Sequence, residues 1–275
     1  MLSEHDRVLQ EYEIEKNKDF FIMLRDVCCG FIARKQLMRF YPNTGCDNIR
    51  EWKRLNIIEP YNIGGGIAFR LKCIGKLNIR WRPVPTASLI LRSYMRLEYY
   101  FSRGLRTPEE ILSKASKGND RAIRMNTVQP LLEQYQDGLA ERNINIPFLD
   151  SPDVAKEIED MAYRDIFLSN VKFADGAIIP HICYYDLRGG RASGVAGELL
   201  ETYRAYQSIF HSDRAEVRPV IHIITFSTPE SKKAVFRRLA QEREFLLFEK
   251  ADFDRTFPIH QIGQAFPYLK AGNLV

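Results

Sequence analysis

Two carboxylates and a cation in the second half of the chain have the types and order that metal-dependent phosphodiester cleavage uses. Asp175 follows the apolar run from Ile166 to Phe173, Asp186 ends the run that begins at Ala177, and Arg188 comes two residues later. Acids on neighbouring strands hold Mg²⁺, and a nearby cation stabilises the phosphate or positions water. A separation of eleven residues is expected to suit a hairpin that carries both acids to one end of a sheet. The plainer alternative makes Asp175 a turn residue before Gly176 and Asp186 a solvated strand end.

The first half carries a different chemistry, that of holding a polyanion. Arg34, Lys35, Thr44, Asn48, Arg50, Lys53, Arg54, Arg70, Lys72, Lys76, Arg80 and Arg82 form the expected DNA-contacting set. Lysine and arginine neutralise phosphates. Asn48 and Arg50 fall near the start of a predicted helix, where base edges are read in a groove. The alternative is a helix and hairpin that cap a core and show a solvated basic face.

Other chemistries are excluded or unsupported. Gly64-Gly65-Gly66 is not followed by the Gly-Lys-Ser/Thr of a phosphate-binding loop. Ser193 and Ser208 have no helpful histidine nearby in sequence. The five cysteines form no Cys-x-x-Cys pair and the five histidines are scattered, which argues against zinc and fits a reducing cytoplasm. His181 and His222 are expected to be satisfied core or edge residues. Trp52 is expected to pack, and Trp81, between Arg80 and Arg82, either packs or touches a sugar-phosphate edge.

Charge is unevenly distributed. The chain of 275 residues has a net charge of +5. Residues 1–130 hold 23 basic and 14 acidic side chains, a net of +9, and the remainder is at −4. A basic half beside a mildly acidic half points to a polyanion partner for the first. The 45% hydrophobic content is enough for a real core, and no apolar run is long enough to span a bilayer. No membrane role is expected.

The elements that would position these residues are legible in outline. Residues 1–18 are charged and expected to fray, turning helical near Tyr12. Helices are predicted over 19–29, ended by Gly30, and over 32–41, with Arg34, Lys35 and Arg39 facing outward. A third starts at Asn43 or Thr44, places Ile49, Trp52 and Leu55 on one face, and is expected to stop at Pro60. A hairpin tipped by Gly64-Gly65-Gly66 follows, with Arg70, Lys72 and Lys76 on its solvent side. Three helices and a hairpin are the order of a winged helix-turn-helix, assigned to 1–82.

Residues 83–150 are expected to form a helical connector. It contains a dense apolar helix over 87–103, suited to a connector, a dimer face or an ordinary core. A helix start at Thr107-Pro108, a basic stretch over 114–124 and a helix over 128–141 follow. Residues 151–275 are predicted to be an α/β domain with a small mixed sheet. Its elements are an acidic helix over 153–162, strands over 166–173 and 177–187 joined at Ala174-Asp175-Gly176, and a glycine loop through Gly194. A helix over 198–210, a buried strand over 218–226, a helix from Thr228, a short strand over 245–248 and an irregular tail from Pro258 complete it.

The order also resembles the replication-relaxation family of plasmids, phages and conjugative elements. The matching residues are Phe173-Ala174-Asp175-Gly176, Ile182-Cys183-Tyr184-Tyr185-Asp186-Leu187-Arg188-Gly189-Gly190, the helix Glu198–Tyr206, and Val220–Thr228 with Arg237-Arg238 downstream. The resemblance covers roughly residues 20–80 and 155–245. It implies an α+β protein of two domains, a winged helix followed by a degenerate PD-(D/E)XK nuclease-like fold. The family aspartate falls on Asp175 and the family glutamate on the shorter Asp186. Arg188 stands where a working centre has lysine, and arginine cannot give up its proton to act as a base. The resemblance therefore implies a cytoplasmic, sequence-specific binder of double-stranded DNA, acting in replication, transfer or transcriptional regulation. It would be a homodimer, with no cofactor and an inactive nuclease-like domain. The alternative is an active endonuclease with Mg²⁺ on Asp175 and Asp186.

Overall fold

The computed structural model describes residues 2–72, 87–114, 153, 156, 166–187, 192–211 and 215–263. It is a mixed α+β chain that divides into two compact units, residues 1–115 with 263–275, and residues 116–262. Predicted features at 73–86, 115–150 and 188–191, and nearly all of the acidic helix at 153–162, lie outside the described residues.

The first unit opens with α1 (Glu4–Lys16) and α2 (Lys18–Asp26). The expected fraying of the start does not occur. The Ser3 hydroxyl accepts the Asp6 N–H at 3.1 Å, which satisfies one of the orphan donors of the first turn. After α2, Gly30 adopts φ 80° and the chain enters a three-residue strand, β1 (Phe31–Ala33), where the sequence predicts helix. The helix α3 (Arg34–Phe40) follows. Next comes α4 (Gly45–Arg54). It ends at Leu55 and Asn56, the latter with φ 57°, and not at Pro60. Pro60 instead lies within β2 (Ile58–Ile63), which pairs with β3 (Gly66–Leu71) across Gly64-Gly65.

The strand order is β1-β3-β2. The two turn glycines have φ 51° and 78°, the positive values that a two-residue hairpin turn of the right twist requires. The core beneath the sheet is aromatic. Trp52 is fully buried, its ring 5.3 Å from Phe20, 5.0 Å from Phe21 and 5.5 Å from Tyr41. Its indole N–H donates to Glu13 Oε2 at 3.1 Å, so the polar tip is satisfied although the ring is buried.

The helices α5 (Ala87–Ser102) and α6 (Pro108–Lys114) belong to this unit. Leu97, Phe101 and Ile111 enter the same core as Trp52. This part of the predicted connector is therefore a wall of the first unit, and the boundary expected at residue 82 moves beyond α6. Arg96 is buried in α5 and donates to the Val27 carbonyl at 3.2 Å. It fastens that helix to the loop before β1.

The second unit is built on a hairpin, β4 (Ile166–Ala174) and β5 (Ala177–Asp186), joined at Asp175-Gly176 with φ 51° and 71°. The helix α7 (Ala192–Ile209) follows. It starts six residues before the predicted Glu198, so Gly194 is helical and not part of a loop. The short β6 (Glu216–Val217) and then β7 (Val220–Thr225) run parallel to β5 along one side. A 3₁₀ turn (Pro229–Lys232) leads into α8 (Lys233–Leu239). The strand expected at 245–248 is absent, because a 3₁₀ turn (Arg243–Phe245) ends there and leaves Leu246 and Leu247 exposed. The helix α9 (Lys250–Thr256) follows, and a last strand, β8 (Ile259–Gln261), lies in the tail predicted to be irregular from Pro258. The sheet order is β4-β5-β7-β8, with β6 also on β5. The helices join through an aromatic cluster of Tyr203, Phe236, Phe245, Phe253 and Phe257.

Candidate nucleic-acid interface

The helix α4 is divided cleanly into two faces. Gly45, Trp52 and Leu55 are buried, while Cys46, Asp47, Arg50, Lys53 and Arg54 are exposed. Positions 46, 50 and 53–54 recur at the helical repeat and share the solvent side. Gly45 permits a close crossing, since a Cβ there would lie 2.6 Å from Met38 Sδ on α3. That crossing brings the start of α3 beside the start of α4. The Arg34 guanidinium approaches Cys46 Sγ at 3.9 Å. Arg34 and Lys35 therefore extend the exposed face of α4.

Charge pairing sorts the predicted contact residues. Arg34, Lys35 and Lys53 are exposed and have no ion pair among the described residues. Arg50 meets Asp47 at 3.5 Å, but both side chains are largely exposed, and a pair of that kind is worth roughly 0–1 kcal/mol. Asn48 is held in place by its amide, which donates to the Thr44 hydroxyl at 3.4 Å. Arg34, Lys35, Arg50 and Lys53 make one cationic surface, while the half-buried Asn48 shares the helical repeat of Trp52 and Leu55.

Three other predicted residues are engaged elsewhere. Arg54 is clamped between Asp6 at 2.5 Å and Glu51 at 2.7 Å. The hydrogen bond from Arg54 holds the Glu51 carboxyl below its ordinary range. Ser3 first and Arg54 second do the same for Asp6. Arg70 and Lys72 both pair with Glu59, Lys72 at 3.0 Å. Burial pushes Glu59 upward, but hydrogen bonds from Lys72, Tyr61 and Arg70 outweigh it and leave the carboxyl lowered. Arg70 also lies 5.0 Å from the Tyr61 ring centre. The expectation that Arg70 and Lys72 are solvent-side cations is corrected by this pairing across the hairpin, in which Glu59 and Arg70 are directly opposite. Arg39 is exposed, as expected, and pairs with Glu98 at 3.0 Å over the Phe101 ring. Lys76, Arg80 and Arg82 lie outside the described residues.

The two candidate metal ligands are not brought together. Asp175 is exposed in the β4–β5 turn, and Asp186 is at the opposite end of the ten-residue strand β5. At about 3.3 Å per residue they stand on the order of 30 Å apart. The sequence expectation fails because eleven residues run along one strand and do not fold back. No group of three metal-capable side chains occurs among the described residues, and Arg188 lies outside them.

Asp186 has a different role in this unit. It is 3% exposed and forms a buried ion pair with Lys232, while the Thr225 hydroxyl donates to it at 3.0 Å. Thr225 is its register partner on β7, and Lys232 comes from the 3₁₀ turn before α8. This cluster ties the carboxyl ends of two parallel strands to the helix that follows. Nothing in the sequence marks Lys232, which is 46 residues from Asp186. Among the described residues no helix is long and apolar enough to cross a membrane.

No protein-family model, curated protein or solved structure matches the chain.

Proposed function

We propose that the first unit is a winged helix-turn-helix that binds double-stranded DNA, with α4 in the major groove and the β2–β3 hairpin as its wing. The observation that carries this reading is the exposed face of α4, where Arg50 and Lys53 adjoin Arg34 and Lys35 of α3. The order α2, β1, α3, α4, β2, β3 with sheet order β1-β3-β2 supports it. Unpaired lysine and arginine supply phosphate affinity, and Asn48 and Arg50 supply base readout. The protein would serve replication, transfer or regulation of a mobile element, as a homodimer. The second unit would be a nuclease-like scaffold used for assembly and not for cutting. The 30 Å estimated between Asp175 and Asp186 removes the residue basis for a shared Mg²⁺.

The test is fluorescence anisotropy with duplex DNA from the protein's own promoter and with a scrambled duplex, over a range of salt and without metal. Tighter binding to the first, weakening steeply with salt, supports a specific reader. Absence of binding at low salt overturns the reading.

A further inference from the structure

Three histidines form a hydrogen-bonded row across three strands of the second unit. His181 is on β5, His222 on β7 and His260 on β8. The register pairs Cys183 with His222 and Ile224 with His260, so the three rings share one face of the sheet. His181 Nδ1 lies 3.0 Å from His222 Nε2, and His222 Nδ1 lies 2.9 Å from His260 Nε2. The ring centres are 5.3 Å and 5.1 Å apart.

Counting protons shows what this row can hold. A neutral imidazole carries one ring hydrogen and a charged one carries two. Each nitrogen–nitrogen gap needs a single proton, because none leaves two lone pairs opposed and two set N–H against N–H. The two gaps thus hold two protons, and any others sit on the outer nitrogens, His181 Nε2 and His260 Nδ1. Three neutral rings carry three hydrogens, so one outer nitrogen is protonated. A fourth hydrogen fills the other outer nitrogen and leaves both gaps intact. A fifth must enter a gap and break a hydrogen bond.

We infer that the row is a single-proton site, which takes up one proton shared over His181, His222 and His260 and excludes a second while the strands stay joined. Shifts of the two gap protons move the positive charge among the rings. The row therefore also connects its two ends for proton exchange, with no net change in bonding. Among the described residues on this face, register places Asn170 and the exposed Lys172 of β4, and Cys183 and Tyr185 of β5. β7 adds the apolar Val220 and Ile224. Register also places a carboxylate on this face, Glu216 of β6, opposite Ala177 and ion-paired with Arg218. The opposite face carries Tyr184, which meets Glu198 of α7, and α8 and α9 join α7 there through Phe236, Phe253 and Phe257. The device would make the β5–β7–β8 strap sensitive to pH through one titration and not three.

The test is a nitrogen-detected NMR titration of the full chain with ¹⁵N-labelled histidine, from about pH 8.5 to about pH 5.5, the range in which imidazoles change charge. His5 and His211, both exposed, provide in-sample reference signals. The expected result is that the ring nitrogens of His181, His222 and His260 move on one shared midpoint, with a summed change of one proton. In His222→Phe the row is cut, and the outer rings should titrate on separate midpoints with two protons in total. Any count other than one in the folded natural protein overturns the inference, whether or not the variant folds.

Discussion

Neutralising the unpaired cations of α3 and α4 should change DNA binding in a way that neutralising the paired ones does not. Arg34, Lys35 and Lys53 are exposed and without ion pairs among the described residues, whereas Arg70 and Lys72 are both held by Glu59. A cation that docks on a phosphate releases a counterion and contributes about 0.9 to the slope of log affinity against log salt. A cation already neutralised by its own carboxylate contributes little. The triple variant Arg34→Ala/Lys35→Ala/Lys53→Ala should therefore lower the slope by about 2.7. Between roughly 50 mM and 200 mM salt, that reduces the fall in affinity by a factor of about 40. The double variant Arg70→Ala/Lys72→Ala should leave the slope within about 0.5 of the natural protein. Anisotropy with one labelled duplex at five salt concentrations reads both. A slope loss of about 1.8 in the Arg70/Lys72 variant would refute the reasoning, since two phosphate contacts would then come from residues engaged with Glu59.

Three further outcomes are expected. Lys232→Met breaks the buried pair with Asp186 and should cost about 3–5 kcal/mol in urea unfolding followed by circular dichroism; a loss below about 1 kcal/mol would show that the pair is not needed. Glu59→Gln should be less stable than the natural chain at pH 7, with the gap closing toward pH 3. The folded carboxyl lies below its ordinary 4.5, so its contribution is complete above that value and fades as pH falls through the lower folded one; an equal gap at both pH values would count against this. Trp52→Ala should destabilise the first unit by about 3–5 kcal/mol, measured by hydrogen exchange of the α2 and α4 amides, and unchanged protection there would contradict its place at the centre of the core.

The sequence is most legible where structure is local. Gly64-Gly65 and Asp175-Gly176 mark their two hairpins because positive φ at both turn positions selects those residues. The buried stripe of α4 follows from the spacing of Trp52 and Leu55. What could not be read is long-range pairing. β1 and β8 are three residues each and exist because β3 and β7 supply partners. The Glu59 pairs and the Asp186–Lys232 pair join residues that sequence alone leaves unconnected. Asp175 and Asp186 show the converse error, in which a plausible spacing ignores the length of an extended strand. The third histidine of the row was hidden in a segment whose composition resembles a loop.

Pro60 has a consequence for how copies of this chain meet. Counting back from the closing pair Ile63–Gly66, Pro60 and Phe69 occupy a position without ladder hydrogen bonds. The proline nitrogen therefore faces away from β3, at the rim of the sheet, and β2 is its last strand. An incoming strand would find no amide hydrogen there to complete its ladder. The hairpin is thus closed to strand addition, which protects it from edge-to-edge aggregation, and a homodimer would have to form on another surface.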